Sequence, residues 1–154
     1  MNTQAPIPTE LYSPDLINLA IFELDRYISS VRDSKARSTP TPLPPTGLAQ
    51  VFSAMGVKTS STDELESLKE QLKAFLVKSP TVNIILSAPP TNGVKQQITS
   101  WFRQQVSPNI LLNFSARADI GGGIILQVGS RIYDFSFKKS LLDNKSRIAE
   151  LINV

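Results

Sequence analysis

The stretch Asp119–Ser136, DIGGGIILQVGSRIYDFS, decides the fold of the carboxyl-terminal half of this chain. Two strand-like runs flank Gly129-Ser130, a two-residue turn with glycine first that is typical of a tight β-hairpin. Such a turn fixes the register of the two strands. One face of the hairpin is expected to be core and the other mixed. The predicted pairs are Val128 with Arg131, Leu126 with Tyr133 and Ile124 with Phe135 on one face, and Gln127 with Ile132 and Ile125 with Asp134 on the other.

The residues before the hairpin change from helical to strand-like periodicity after Pro80. Val82–Leu86 is a short apolar run suited to a strand covered on both faces. Ile110–Ala116 is a second strand with alternating faces. Between them, apolar residues from Val94 to Val106 recur at helical spacing. Strand, helix and strand in this order predict a parallel pair with a helical crossover.

A last helix is predicted from about Phe137 to Ile152, with Ser136 as its N-cap. Two lysines in its first turn oppose the helix dipole, and the nearby Asp134 is a candidate to offset them. The predicted inward positions are Leu141, Ile148 and Leu151 or Ile152.

The amino-terminal half is predicted to be helical. Ser13-Pro14-Asp15 supplies an N-cap, a proline at the first helical position and an acid in the first turn of a helix that ends near Asp33. A short helix is predicted over Leu48–Met55. Another opens at the capping box Ser61–Glu64. The segment 34–47 contains four prolines and is interpreted as an extended linker.

These elements predict an α+β protein. A helical segment that includes the linker is expected over residues 1–79. A carboxyl-terminal domain with a four-stranded mixed sheet and two helices is expected over residues 80–154.

The composition excludes several classes of function. The chain has no cysteine and no histidine, which rules out disulfides, Cys-His and Ser-His-Asp catalysis and nearly every zinc site. The net charge of +3 comes from interspersed charges and does not by itself imply a nucleic-acid track. No apolar run approaches the roughly 20 residues that cross a bilayer, and the first residues lack a signal-peptide pattern. A cytoplasmic protein is expected.

Three features could carry chemistry, and each has a simpler interpretation. Gly121–Gly123 fits no phosphate-loop motif, so we expect a positive φ or a close strand approach. Asp134 could be catalytic only beside a second titratable group, and a contact with a backbone amide or helix cap is preferred. Trp101 and Phe102 could stack on bases, but at least one of them is expected in the core. No catalytic, cofactor-binding or metal site is predicted.

The stretch Asp119–Ser136 resembles the signature of the delta subunit of F-type ATP synthase, the oligomycin-sensitivity protein of mitochondria. In that family an acid precedes a Gly-Gly pair and a short apolar strand. A Gly turn then leads to Asp-x-Ser and a leucine-bearing final helix. The resemblance extends more weakly upstream to Val82. The residues at the family's positions are Gly122, Gly123, Gly129, Asp134, Ser136 and Leu141.

The resemblance implies a non-catalytic stator subunit that ties the alpha and beta subunits of the catalytic head to membrane-anchored b subunits. It implies no cofactor, no small-molecule substrate and no nucleic acid, and a cytoplasmic location peripheral on the inner face of the cell membrane. We expect the partner surface on the last helix and the mixed face of the hairpin, with Ile125, Ile132 and Leu142 as candidates. The helical segment before the sheet is shorter than the family's amino-terminal bundle.

Two alternatives remain open. The E-type stalk protein of a vacuolar or archaeal-type rotary ATPase ends in a comparable Gly-Gly strand and hairpin, but that family has a longer turn and a long charged helix. A small nucleic-acid-binding module would use the basic excess and Trp101, and its affinity would fall steeply with salt.

Overall fold

The computed structural model describes residues 7–145, 147 and 150, apart from the side chain of Leu141. In this part of the chain three helices precede a mixed sheet, and one turn of 3-10 helix, Ala118–Ile120, leads into the hairpin. The elements are α1 (Pro14–Ala36), α2 (Thr46–Met55), α3 (Thr62–Lys78), β1 (Thr81–Leu86), α4 (Asn92–Gln105), β2 (Leu111–Ala116), β3 (Gly123–Val128), β4 (Arg131–Ser136) and α5 (Phe137–Asp143).

The first three helices share one apolar core. Each contributes a stripe at three-to-four spacing, which is the pattern of a helix with one buried face. Lys69 on α3 links the outer surfaces, because its ammonium group lies 3.0 Å from Asp25 on α1 and 2.7 Å from Glu66. The core side chains from these helices are Ile17, Ala20, Leu24, Tyr27, Ile28, Val31, Leu48, Val51, Phe52, Leu65, Leu68 and Leu72.

The helix starts follow the predicted capping residues. The Ser13 hydroxyl accepts a hydrogen bond from Leu16 N at 3.3 Å, and the Ser61 hydroxyl accepts one from Glu64 N at 3.4 Å. The Glu64 carboxylate, however, accepts from Lys58 N at 2.8 Å. It therefore ties down the turn before α3 and does not complete the reciprocal bond of a capping box.

The proline-rich connection is shorter than the predicted range 34–47. α1 continues to Ala36, beyond the predicted end near Asp33, because no helix breaker occurs before Pro40. α2 begins at Thr46, directly after Pro45. The prolines form an extended strap against α1, where the Tyr27 hydroxyl donates to the Pro42 carbonyl at 2.9 Å.

The sheet has the strand order β2-β1-β3-β4. β1 pairs in parallel with β2, as the strand-helix-strand order predicted, and antiparallel with β3. All five predicted pairs of the hairpin are confirmed, from Val128 opposite Arg131 to Ile124 opposite Phe135. The four-stranded mixed sheet preceded by helices confirms the predicted α+β fold.

The two faces of the sheet have different covers. α4 covers the face that carries Ile84 and Leu112, and its Phe102 side chain belongs to that second core. On the opposite face Leu111 joins the core of the three helices. The 3-10 helix and α5 lie over the β3–β4 end of that same face.

The last helix starts as predicted. The Ser136 hydroxyl caps α5 by accepting a hydrogen bond from Lys139 N at 3.3 Å. The predicted inward residues Ile148, Leu151 and Ile152 lie outside the described residues, as does the side chain of Leu141.

Candidate interaction surface

Two glycines allow the start of β3 to lie directly against the end of the hairpin. Gly122 has φ +120° and packs under the Phe137 ring, where an added Cβ would lie 2.6 Å from Cδ2. Gly123 has φ +82°, and its Cβ would lie 2.5 Å from the Phe135 carbonyl oxygen. A side chain at Gly123 would therefore displace the β4 backbone, and one at Gly122 would displace the Phe137 ring of α5. These glycines serve the close approach expected from the sequence.

Asp134 and Ser136 form the junction between β4 and α5. The Asp134 carboxylate accepts a hydrogen bond from Ser136 N at 2.8 Å. Hydrogen bonding by Ser136, through its hydroxyl and its main-chain N–H, lowers the pKa of Asp134, and the charges of Lys139 and Arg117 lower it further. The preferred interpretation of Asp134 as a partner of a backbone amide matches this geometry.

A groove of about 420 Å³ lies above this junction, on the sheet face opposite α4. β4, the 3-10 helix and α5 form its walls. Aliphatic side chains line its interior and charged side chains stand around its rim. The aliphatic set is Ile85, Ile120, Ile125, Ile132 and Leu142, and the charged set is Arg117, Asp119, Asp134, Lys138, Lys139 and Asp143.

The three residues predicted for the partner surface all line this groove. Ile132 is 65% exposed and Leu142 is 62% exposed, so both leave apolar surface open to solvent. Ile125 is only 6% exposed. It therefore lies at the floor of the groove.

The hairpin exposes further apolar side chains that the sequence reasoning did not single out. The core beneath α4 takes in side chains of β1, β2 and β3, whereas β4, an edge strand, contributes no described residue to it. The sequence did contain a signal for this exposure. β4 is the last strand of the hairpin, and a strand that pairs only with its hairpin partner lies at a sheet edge. The exposed residues are Val128, Tyr133, Phe135 and Phe137.

Three of the charged groups on the groove rim form ion pairs. The Arg117 guanidinium contacts both carboxylate oxygens of Asp119, at 3.1 and 2.7 Å, and Lys138 lies 3.9 Å from the same group. The hydrogen bonds from Arg117 lower the pKa of Asp119. The rim therefore offers both signs of charge at neutral pH, which suits a mixed-charge protein surface.

The groove does bring Asp134 near other acids, Asp119 and Asp143, which is the arrangement that would favour an enzyme. A general acid at neutral pH needs a raised pKa. The pKa of Asp134 and that of Asp119 are lowered instead. Both groups are hydrogen-bond acceptors that hold local structure. Among the described residues there is no cluster of acids that could hold a metal ion.

The two aromatic residues of α4 have different environments. Phe102 is 8% exposed and lies in the core beneath α4, whereas Trp101 is 56% exposed. The prediction that at least one of the pair is core is confirmed.

A family comparison covers this region. Residues 63–148 match the family described as ATP synthase delta (OSCP) subunit. The match spans more than half of the 154 residues and includes α3, all four strands and the groove. The chain belongs to the ATP synthase delta (OSCP) subunit family. The match starts earlier than Val82, where the resemblance was expected to begin.

This family is a structural component of the peripheral stalk of ATP synthase. No curated protein sequence matches the chain. In the described part of this family member, no helix is long and apolar enough to cross a membrane.

Proposed function

We propose that this protein is a non-catalytic stator subunit that ties the catalytic head of an F-type ATP synthase to the membrane-anchored b subunits. It would act in the cytoplasm, peripheral to the inner face of the cell membrane. The alpha and beta subunits of the head and the b subunits are its partners. No cofactor, substrate or nucleic acid takes part. Membership of the delta (OSCP) family supports this proposal.

The groove on the hairpin is the observation that supports a b-binding site in this chain. Ile132 and Leu142 expose apolar surface beside charges of both signs, within the part that matches the family. Apolar side chains surrounded by a polar rim are typical of protein interfaces. We propose that residues 80–154 bind b through this groove and that residues 1–79 face the head.

The helical part has exposed apolar surface of its own. Leu19 and Phe22 on α1 and Leu43 on the proline-rich strap are exposed. They lie outside the matched residues 63–148. Because these residues lie in the amino-terminal half and the groove lies in the carboxyl-terminal half, they support a second contact, made by the helices with the head.

Binding of the purified chain to the water-soluble part of b tests the proposed site. Ile132→Lys places a charge in the middle of the apolar surface and should weaken binding at least tenfold. Leu43→Lys is the matched control, because it makes the same kind of change at an exposed position on the strap. It should leave the b affinity unchanged.

A pull-down of the tagged wild-type chain from its native membranes tests the wider role. Recovery of alpha, beta and b together is the expected result. If the tagged chain were recovered with no synthase subunit bound, the result would contradict the stator function. Equal b affinity for wild type and Ile132→Lys would reject the groove as the b site while leaving the stator role intact.

A further inference from the structure

Arg103 makes an unusual set of contacts on α4. Its Nη1 donates to the Ile7 and Pro8 carbonyl oxygens at 2.7 and 3.0 Å, and its Nη2 donates to the Leu11 carbonyl oxygen at 3.0 Å. All three acceptors are main-chain groups of the segment before α1. One guanidinium therefore holds a stretch that is more than ninety residues away in sequence.

A guanidinium is suited to this position. Its planar fork presents five N–H donors in fixed directions, so it can bond several carbonyls at once. Lysine carries a point charge and cannot reproduce this geometry. Arg103 is partly buried, and this burial lowers the pKa of its guanidinium because the charged form loses solvation. Its carbonyl partners compensate part of that desolvation.

The same segment, Ile7–Tyr12, contacts both parts of the molecule. The Leu11 side chain is buried in the core of the three helices. The Tyr12 carbonyl accepts a hydrogen bond from Leu112 N of β2 at 2.7 Å, and the Tyr12 ring meets Phe114 edge-on at 5.5 Å. Consecutive residues thus belong to the helical core and to the sheet.

The hydrogen bond from Leu112 N also covers one position on an edge of the sheet. β2 is an edge strand, and unpaired edges are weak points that proteins cover. The main chain at Tyr12 supplies that cover at Leu112. Displacement of the segment Ile7–Tyr12 would therefore have two effects at once. It would remove the connection between the helical core and the sheet, and it would expose the edge of β2 at Leu112.

We propose that Ile7–Tyr12 is an N-terminal clasp, closed by Arg103, that couples the three helices to the sheet so that the chain folds and moves as one unit. Without the clasp, the described contacts that remain between the two parts are mainly those of α1 with β2, where Leu111 enters the helical core. We infer that these contacts alone do not keep the two parts cooperative. This inference concerns the isolated chain and does not depend on any partner.

Unfolding in urea followed by two probes tests the clasp. Trp101 is the only tryptophan and lies on α4 beside the sheet, whereas far-UV circular dichroism reports mainly on the three amino-terminal helices. In the wild type the two curves should coincide, as for one cooperative unit. In Arg103→Met the tryptophan midpoint should fall below the dichroism midpoint by about 0.5 M urea or more.

Arg131→Met is the matched control. Arg131 is exposed, and its side chain makes no hydrogen bond to any described residue. Both curves should stay together in this variant. Separate curves in the wild type would overturn the proposal, and so would coincident curves in Arg103→Met.

Arg103→Lys tests the same idea if Arg103→Met does not fold, because it keeps the charge and removes the fork. Hydrogen exchange of the Leu112 amide, which bonds to Tyr12, should accelerate at least tenfold in this variant and stay unchanged in Arg131→Met. Unchanged exchange in Arg103→Lys would reject the clasp. None of these outcomes bears on b binding, so the stator proposal is tested separately.

Discussion

The three-helix core and the β4–α5 end use the same kinds of apolar residue for different purposes. Ile28 of α1 is 1% exposed, enclosed by side chains of the helical core. Ile132 of β4 is 65% exposed, among the aliphatic side chains that line the groove. The first region has buried its apolar stripe within the chain. The second leaves its apolar side chains exposed.

This difference separates the residues that fold the protein from those available for binding. Burial of apolar surface stabilises the folded chain by roughly 25 cal/mol per Å². A side chain that stays exposed gains little of this stabilisation before a partner covers it. The exposed cluster around the hairpin therefore adds little to the stability of the isolated chain.

Ile28→Ala and Ile132→Ala form a matched pair that tests this contrast. Ile28→Ala should lower the free energy of unfolding by about 2–5 kcal/mol, because it leaves a cavity in a closed core. Ile132→Ala should change it by less than about 0.5 kcal/mol. Urea unfolding of both variants gives the comparison. Similar losses in the two variants would show that the groove is part of the folding core.

Gly123→Ala tests whether the hairpin end depends on a close backbone approach. The new Cβ would meet the Phe135 carbonyl oxygen and the residue would keep a positive φ, so we expect a loss of roughly 2–4 kcal/mol. Gly129→Ala is the control. It has a positive φ of +58° but nothing within 4 Å of the added Cβ, so its loss should stay near 1–2 kcal/mol. Equal losses of unfolding free energy in the two variants would show that the close approach at Gly123 does not contribute to stability.

The sequence predicted most of the fold because its signals were local. Gly129-Ser130 set the hairpin register, and Ser13, Ser61 and Ser136 marked helix starts, all confirmed by the structure. The division at residue 80 stays a prediction.

The contacts that escaped prediction depend on residues far apart in sequence. Nothing around Arg103 indicates that its guanidinium bonds the Ile7 carbonyl. The burial of Ile125 likewise depends on how the 3-10 helix and α5 fold over the sheet. The exposed face of β4 also depends on the position of α4, because the core beneath α4 takes in side chains of β1, β2 and β3 but not of β4.

The smallest expected effect concerns the charge at the β4–α5 junction. Asp134→Asn keeps an oxygen that can accept from Ser136 N but removes the negative charge near Lys139 and Arg117. The pKa of Asp134 is lowered from its ordinary value of 3.8 in the folded chain. Its charge therefore stabilises the fold above the unfolded pKa, and this stabilisation is lost as the pH falls through the folded pKa.

Urea unfolding of wild type and Asp134→Asn at several pH values measures this contribution. The variant should be slightly less stable at pH 7, and the difference should shrink below about pH 4. Added salt should reduce the part that comes from Lys139 and Arg117, because both the carboxylate and these cations are near solvent. A difference that stays constant from pH 7 to pH 3 would show that the junction is held by the hydrogen bond geometry alone. The hairpin end would then keep its shape in the absence of any charge on Asp134.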